Sequence, residues 1–319
     1  MRPIPRQHHY LPAGYLAGFT PSGRARDRLW VHDLRPASRR DPEQPGIWRS
    51  LPGKVARQRD LYTLESGPAL PKLFEDELMK RDDADVKLVR DVCKSRQCPR
   101  DRFDDLLEFV ALTYTRSPSM RASLTRWVEQ RTRLPFEEAI RDPENWTWLA
   151  EWLGRPLSDI RALVAEYTEK AQLWHVCVID ALKHSMLPLL KSRQWSLCVS
   201  HSKDYIVCSS TPLGITWPAK HPSSKRPTLG DDRAILTFPL DRHTALISGL
   251  DRHGSGLHVS RDAVAEINTQ TALSLKTHAA QQSFVFAPAE RFYCMGNDGL
   301  LQVSGADFTL VSAPTGEGS

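Results

Sequence analysis

Residues 195–199 read Trp-Ser-Leu-Cys-Val, and at this point the hydrophobic periodicity of the chain changes from helical to β-like. Large apolar side chains at Trp195, Leu197 and Val199 alternate with smaller ones, which is typical of a β-strand. On the N-terminal side, apolar residues recur at i, i+3, i+4 and i+7, as on one face of a helix: Phe103, Leu106, Leu107, Val110, Ala111 and Tyr114. The change of period predicts a helical block before residue 193 and a β-rich part after it.

The β-rich part contains several short runs that predict strands. Two hairpins are expected, one about His201–Asp204 and one about Asp241–His243, because polar residues separate apolar runs at both places. Their strands are Trp195–Ser200, Tyr205–Cys208, Ile235–Leu240 and Thr244–Ser248. One helix is expected from about Ser260 to Ala280. Three further predicted strands follow it: Phe284–Phe286, Phe292–Cys294 and Leu300–Val303.

Near the N-terminus, two short β-like runs lie at Leu29–Leu34 and Asp60–Leu64. They flank a stretch from Pro36 to Gly53 that is rich in Pro, Arg and Ser and predicts an irregular loop. We expect the two runs to pair with each other across that loop. The segregation of helices and strands along the chain predicts an α+β fold. In this fold a central helical block is followed by a mostly antiparallel β region with one long helix. The N-terminal hairpin-like strands pack against the helical block.

The chain has 319 residues, enough to bury a large core in one compact domain spanning residues 1–319. Within this domain the sequence predicts four successive parts: a basic N-terminal segment with short strands (1–70), a helical block (71–192), a β-rich part with one helix (193–310) and a flexible tail (311–319).

The positive charge of the chain is concentrated at its N-terminus. The net charge is +5, and residues 1–60 alone contain 12 Lys and Arg against 5 Asp and Glu. Such a segment can bind the phosphates of a nucleic acid, or it can be a solvated arm that pairs with the acidic middle of the chain. No apolar run approaches the roughly 18 residues of a membrane span, so no membrane partner is expected. The N-terminus lacks the apolar region of a secretory signal, which favours a cytoplasmic protein.

The six cysteines form no C-x-x-C pair, and without a secretory signal we expect reduced thiols. Cys198 and Cys208 would face each other across the first predicted hairpin, which makes them the first candidates for a disulfide. For this pair we favour two free thiols over a disulfide.

Most well-known catalytic motifs are missing from the sequence. It contains no P-loop, no G-x-G-x-x-G after a strand, no H-E-x-x-H and no G-x-S-x-G. Cys177, Asp180 and His184 share one face of a predicted helix, where they could bind a metal or be a polar interruption of a packed face. We expect no metal, and the need for any cofactor stays open. His8 and His9 precede Pro12, where a histidine could act as a general base or cap the first helix.

The N-terminal motif also carries a family resemblance. Gln7-His8-His9-Tyr10-Leu11-Pro12, followed by Tyr15-Leu16 and Phe19, resembles the opening of the family catalogued as domain of unknown function 4238. Further segments are similar to motifs of that family in the same order: Leu29–Asp33, Asp60–Leu64, Phe74–Leu78, Arg116–Pro118, Ser209–Pro212, Phe238–Leu240, Ile267–Asn268 and Phe284–Phe286. The resemblance extends over about residues 6–287, and the family name implies no activity. One departure is that the family's Asp-Asn before Pro212 is Ser210-Thr211 here, so a carboxylate is missing.

The resemblance implies a pocket shared by four separated segments. His8 and Arg116 are the candidate catalytic residues, His8 as base or acid and Arg116 as a clamp for an anionic group. The candidate substrate-binding residues are Gln7, Ser209, Ser210 and Asn268, and the backbone N–H groups of the Ser209 turn could stabilise an oxyanion. These parts predict a hydrolase or nuclease-like enzyme acting on a phosphate- or carboxylate-bearing substrate.

The alternative is a non-enzymatic binding or regulatory module. In that case Gln7 and His8 cap a helix, Arg116 hydrogen-bonds carbonyl groups near Pro118, and Asn268 satisfies buried backbone.

Overall fold

The structure is a computed structural model that describes residues 7–35, 46–59, 70–118, 120, 147, 156, 158–159, 185–201, 203–218, 227–249, 256–276, 283–296 and 299–303. No helix in these ranges is long and apolar enough to cross a membrane. The predicted tail 311–319 and the run Asp60–Leu64 lie outside the described residues.

The described part of the helical block consists of two long helices and a shorter helical segment, and a short helix precedes the block in the chain. Helix α1 (Ala13–Leu16) is short and continues into a 3-10 turn, Ala17–Phe19. Helix α2 (Leu70–Ser95) and helix α3 (Phe103–Thr115) follow. Residues 185–191 are helical as well. The expectation of helix between 71 and 192 is confirmed in these parts, whereas most of 119–184 lies outside the described residues.

The β-rich part is built around a five-stranded sheet. Its strands are β5 (Trp195–Val199), β7 (Gly214–Thr216), β8 (Ile235–Asp241), β9 (Thr244–Ser248) and β10 (Leu257–His258). They lie in the order β10-β5-β9-β8-β7, and every neighbouring pair except β10–β5 is antiparallel. The predicted hairpin about Asp241–His243 is confirmed as β8–β9. The long helix of this part is α4 (Arg261–Lys276).

A four-stranded antiparallel sheet joins the two ends of the chain. It consists of β2 (Leu29–Asp33), β3 (Ile47–Ser50), β6 (Cys208–Ser209) and β11 (Phe284–Ala287), in the order β3-β2-β11-β6. Two further pairs stand apart: β1 (Gln7–His9) with β4 (Arg57–Arg59), and β12 (Phe292–Gly296) with β13 (Gly299–Val303). The α+β class is confirmed.

Three local expectations were wrong. The predicted hairpin about His201–Asp204 does not form: the Ser200 N–H bonds to the His243 carbonyl, the Ile206 N–H bonds to the Arg242 carbonyl, and β6 pairs with β11 instead of β5. Cys198 and Cys208 therefore lie in different sheets as free thiols.

The other two errors concern the N-terminal strands. The predicted loop 36–53 contains strand β3, which pairs with β2, where Trp48 stands opposite Val31. The pairing expected between Leu29–Leu34 and Asp60–Leu64 is wrong as well, because β2 lies between β3 and β11 and both of its edges are taken.

Helix α1 lies where the helical block meets the five-stranded sheet. The Tyr15 ring contacts Phe19, Phe109 of α3 and Phe238 of β8, with ring centroids 5.4, 5.4 and 6.0 Å away. The Tyr15 hydroxyl donates to the Pro239 carbonyl at 2.5 Å. Because these aromatic rings are fully or almost fully buried, they form the centre of the main core and fix the N-terminal motif against both halves of the fold.

Candidate functional site

The N-terminal motif is held by a short antiparallel pair. In β1 and β4, Gln7 lies opposite Arg59, His8 opposite Gln58 and His9 opposite Arg57. The Tyr10 N–H continues the ladder to the Ala56 carbonyl at 3.0 Å. His8 is buried, with 7% of its surface exposed, and His9 is half-buried. Pairing with β4 therefore holds the backbone of both histidines in place.

Arg116, which follows the last turn of α3, joins this motif to α2. Its guanidinium donates to the Tyr10 carbonyl from Nε at 3.3 Å and from Nη2 at 3.2 Å. Nη1 donates to Asp82 Oδ1 at 2.7 Å, and the Arg116 side chain is only 1% exposed. A buried guanidinium that bridges a carbonyl and a carboxylate fixes the distance between β1 and α2.

Helix α2 contributes a second carboxylate next to the first. Asp85 is buried and lies one turn after Asp82, with its Oδ2 3.5 Å from Arg81 Nε. Burial raises the pKa of Asp85 to about 6, and the negative charge of Asp82 adds to this effect against the attraction of Arg81 and Arg116. Arg81 also pairs with Glu108 of α3. We call the set His9, Arg81, Asp82, Asp85, Glu108 and Arg116 the Asp85 cluster.

His9 belongs to this cluster through its electrostatics. Burial lowers the pKa of His9, as do the positive charges of Arg57 and Arg116, while a hydrogen bond to the Val55 backbone and the charge of Asp82 oppose the change. Both His9 and Asp85 thus respond to Asp82 and Arg116. Their shifts leave His9 neutral and Asp85 partly protonated near neutral pH, which is the combination that proton transfer requires.

Three buried polar atoms of the cluster lack a hydrogen bond of ordinary geometry among the described residues: His9 Nδ1, Arg81 Nε and Asp85 Oδ2. Buried polar atoms in folded proteins are nearly always paired, because an unpaired one costs about 1–3 kcal/mol. Arg81 Nε and Asp85 Oδ2 face each other in the long ion pair of 3.5 Å, so His9 Nδ1 is the atom of this set that is left without a partner within the described residues.

The Ser209 turn lies behind the N-terminal motif. The Cys208 thiol is 3.4 Å from the Tyr15 hydroxyl, and burial raises the pKa of the nearby Tyr10 hydroxyl. The turn itself is closed by internal bonds: the Ser209 hydroxyl donates to the Thr211 carbonyl at 2.7 Å. Ser210 exchanges bonds with Phe284, its N–H to the Phe284 carbonyl at 2.8 Å and the Phe284 N–H to its hydroxyl at 3.3 Å. These bonds anchor the turn to β11.

Asn268 lies in a separate network on α4. Its Nδ2 donates to the Tyr205 and Tyr293 carbonyls, each at 2.9 Å, and its Oδ1 accepts the Val207 N–H at 2.9 Å. The amide therefore serves three backbone groups, two in the segment just before β6 and one on β12. This is the backbone-satisfying role that the sequence offered as the alternative for Asn268.

The structure thus brings Arg116 to the N-terminal motif, and it adds residues that sequence reasoning missed. Asp82, Asp85 and Arg81 were overlooked as part of an acidic helix. The missed signal is positional: Asp85 precedes the buried Val89 and Val92 by four and seven residues, so its carboxylate lies on the apolar face of α2. A carboxylate on such a face requires an explanation beyond solvation.

The structure identifies no cluster of three or more potential metal ligands within the described ranges. Cys177, Asp180 and His184, which the sequence proposed as a possible ligand set, lie outside those ranges.

Comparison with known families gives one match. A family model described as protein of unknown function (DUF4238) matches residues 7–287, which is most of the chain. Comparison with curated proteins and with solved structures found no match. The matched range begins in β1 and ends in β11, so it contains the Asp85 cluster, the Ser209 turn and Asn268.

Proposed function

We propose that this chain, which belongs to the DUF4238 family of proteins of unknown function, is a hydrolase or nuclease-like enzyme that acts on an anionic substrate at the Asp85 cluster. The observation that carries the proposal is Asp85 itself. It is a buried carboxylate whose Oδ2 forms a long ion pair, 3.5 Å from Arg81 Nε, and whose pKa is raised to about 6. Such a group can hold and release a proton near neutral pH.

The roles of the other residues follow from their contacts. His9, neutral because its pKa is lowered, accepts a proton from the attacking water through Nδ1, which has no hydrogen bond within the described residues. Asp85 gives its proton to the leaving oxygen. Arg81, whose side chain is 34% exposed and pairs with Asp85 and Glu108, attracts the anionic part of the substrate with its positive charge. Arg116, bound to Tyr10 and Asp82, is a positioning residue that aligns β1 with α2.

This assignment moves the base from His8, which the sequence favoured, to its neighbour His9. The reason is that the Arg116 and Asp82 charges act on the His9 imidazole. His8 remains a buried neighbour on the same strand. In this proposal four residues contribute to substrate binding indirectly, because they support the surrounding backbone: Gln7, Ser209, Ser210 and Asn268.

The test is a hydrolysis assay with p-nitrophenyl phosphate, bis-p-nitrophenyl phosphate and single-stranded oligonucleotides, each with and without Mg²⁺ or Mn²⁺. Asp85→Asn and His9→Ala are expected to reduce the rate by about 100-fold or more, as removal of an acid or base does. The matched control is Asp83→Asn, which removes an exposed carboxylate from the same turn of α2 and should keep full activity. Equal activity of Asp85→Asn and the wild type would refute the proposal.

The second candidate is a nucleic-acid-binding module, which the basic N-terminal segment favours. Arg24, Arg26 and Arg28 are exposed just before β2, and Arg49 is exposed on the adjacent strand β3, where it stacks on Trp30. An electrophoretic mobility assay with single- and double-stranded oligonucleotides tests it, because binding through these cations must weaken steeply with salt. Binding without hydrolysis would favour this candidate.

We also propose that the protein is cytoplasmic. The cysteines of the described part, Cys93, Cys98, Cys198, Cys208 and Cys294, are all free thiols, as expected in a reducing compartment.

A further inference from the structure

A serine and a histidine meet at one end of the five-stranded sheet, apart from the Asp85 cluster. Ser200 follows the last residue of β5, and His243 precedes β9, so the two stand opposite each other where the β5–β9 ladder ends. The Ser200 N–H donates to the His243 carbonyl at 2.8 Å. The Ser200 hydroxyl lies 3.1 Å from His243 Nδ1 and 3.4 Å from the His201 carbonyl oxygen, and the His243 contact is the shorter of the two.

The imidazole of this pair is held in place from several sides. The backbone N–H of His243 donates to Asp241 Oδ1 at 2.8 Å, which fixes the turn between β8 and β9. The ring packs against Tyr205 with centroids 5.5 Å apart. Burial, Arg242 and Arg96 lower the pKa of His243, whereas Asp241 and the Asp204 backbone raise it. The net direction keeps the ring neutral at pH 7, and in the tautomer whose proton is on Nε2 the Nδ1 atom can accept a proton.

The residues around the pair are polar and include exposed side chains. Ser200 itself is 4% exposed, and His243 is half-buried. His201, the next residue, is exposed, and its ring stacks on the exposed His258 of β10 with centroids 5.9 Å apart. Arg96, which is exposed, adds a permanent positive charge, and we call these three side chains the basic rim; Asp241 is the carboxylate that acts on the same imidazole.

We propose that Ser200 is a nucleophile activated by His243, and that the site takes esters with an anionic acyl group. The Ser200 Oγ forms a bond to the acyl carbon while its proton passes to His243 Nδ1. The bond from that carbon to the leaving oxygen breaks, and the proton on Nδ1 passes to the leaving oxygen. Water then hydrolyses the acyl-serine by the reverse roles and restores the hydroxyl. The basic rim attracts the anionic end of the acyl group.

This site is independent of the Asp85 cluster. Arg96 lies 11 residues after Asp85, at the end of α2, which corresponds to about 16 Å along a helix. The two proposals are distinguished by their readouts, since covalent labelling of Ser200 requires no turnover at Asp85.

The test is labelling of the full chain by a fluorophosphonate, read by mass spectrometry of the Ser200 peptide. We expect modification of Ser200, none at that peptide in Ser200→Ala, and a rate at least about 100-fold lower in His243→Gln. The matched control residue is Ser192, an exposed serine whose hydroxyl donates to the Leu189 carbonyl, and it should stay unmodified. Thermal melting of both variants verifies that they are folded, and the wild-type labelling rate should rise with a midpoint below pH 6.5.

The substrate class is tested with mono-p-nitrophenyl succinate and p-nitrophenyl acetate. The anionic succinate ester should acylate Ser200 several-fold faster at low salt, and the difference should shrink as salt screens the rim. An unmodified Ser200, or a labelling rate that is the same in folded His243→Gln, would overturn the proposed nucleophile. Equal rates for the two esters would overturn the assignment of an anionic acyl group.

Discussion

Replacement of Asp85 by asparagine should stabilise the protein, and the gain should depend on pH. The pKa of Asp85 is raised from 3.8 to about 6, chiefly by burial. The folded chain therefore binds this proton more tightly than the unfolded chain, and ionisation of Asp85 reduces the free energy of unfolding as the pH rises through about 4 to 6. Above that range the full cost is present, about 3 kcal/mol for a difference of this size. Asparagine has a similar shape and carries no charge, so it avoids the cost.

The expected gain for Asp85→Asn is about 3 kcal/mol at pH 7.5 and about 1 kcal/mol at pH 4.5. For a chain of 319 residues, 3 kcal/mol corresponds to a melting temperature about 4–5 °C higher. Urea unfolding followed by circular dichroism at both pH values measures the difference directly.

The control for this experiment is Asp83→Asn, because Asp83 is exposed on the same helix turn. Its effect should stay within about 0.5 kcal/mol and should not change with pH. The reasoning would be refuted if Asp85→Asn were less stable than the wild type at pH 7.5. It would also be refuted by a gain that is the same at pH 4.5. If the variant gains stability and loses hydrolysis, then Asp85 is a residue kept for function at the expense of the fold.

Three further outcomes are expected. Arg116→Ala should lower the free energy of unfolding by about 3–5 kcal/mol in denaturant titration, because it leaves Asp82 and the Tyr10 carbonyl without their buried donor; a loss below 1 kcal/mol would contradict this. Asn268→Ala should cost about 2–4 kcal/mol, since three backbone groups lose their bonds, whereas exposed Glu266→Ala on the same helix should cost little. Thiol titration without reductant should find all six cysteines in guanidinium, and a lower number would indicate a disulfide.

Much of the fold follows from local periodicity, and the failures have a common cause. The alternation at Trp195–Val199 and the hairpin after Pro239 were predictable because strand and partner lie close in sequence. Strand β6 was assigned to the wrong sheet because its partner β11 is about 75 residues away, and nothing in a two-residue strand specifies such a partner. The same holds for β3, whose four residues lie in a stretch of loop-forming composition.

The candidate site was likewise predictable from the sequence only in part. Arg116 and the N-terminal motif were predicted from the family resemblance, and the contact between them is present in the structure. The choice between His8 and His9 could not be made, because it depends on which side of a three-residue strand faces α2. Asp85 was missed because its raised pKa arises chiefly from burial in the folded chain, and no local pattern encodes that.

The bond from Tyr15 to Pro239 also has a consequence during synthesis of the chain. The two residues are 224 positions apart, so the N-terminal motif is translated long before its partner in β8 exists. At about 5–20 residues per second, the ribosome needs roughly 10–45 s to reach it. Until then the Tyr15 ring has Phe109 of α3 at most as a neighbour and lacks both Phe238 and the acceptor of its hydroxyl, so its core is incomplete. The nascent N-terminus is therefore open to chaperones and proteases during that interval.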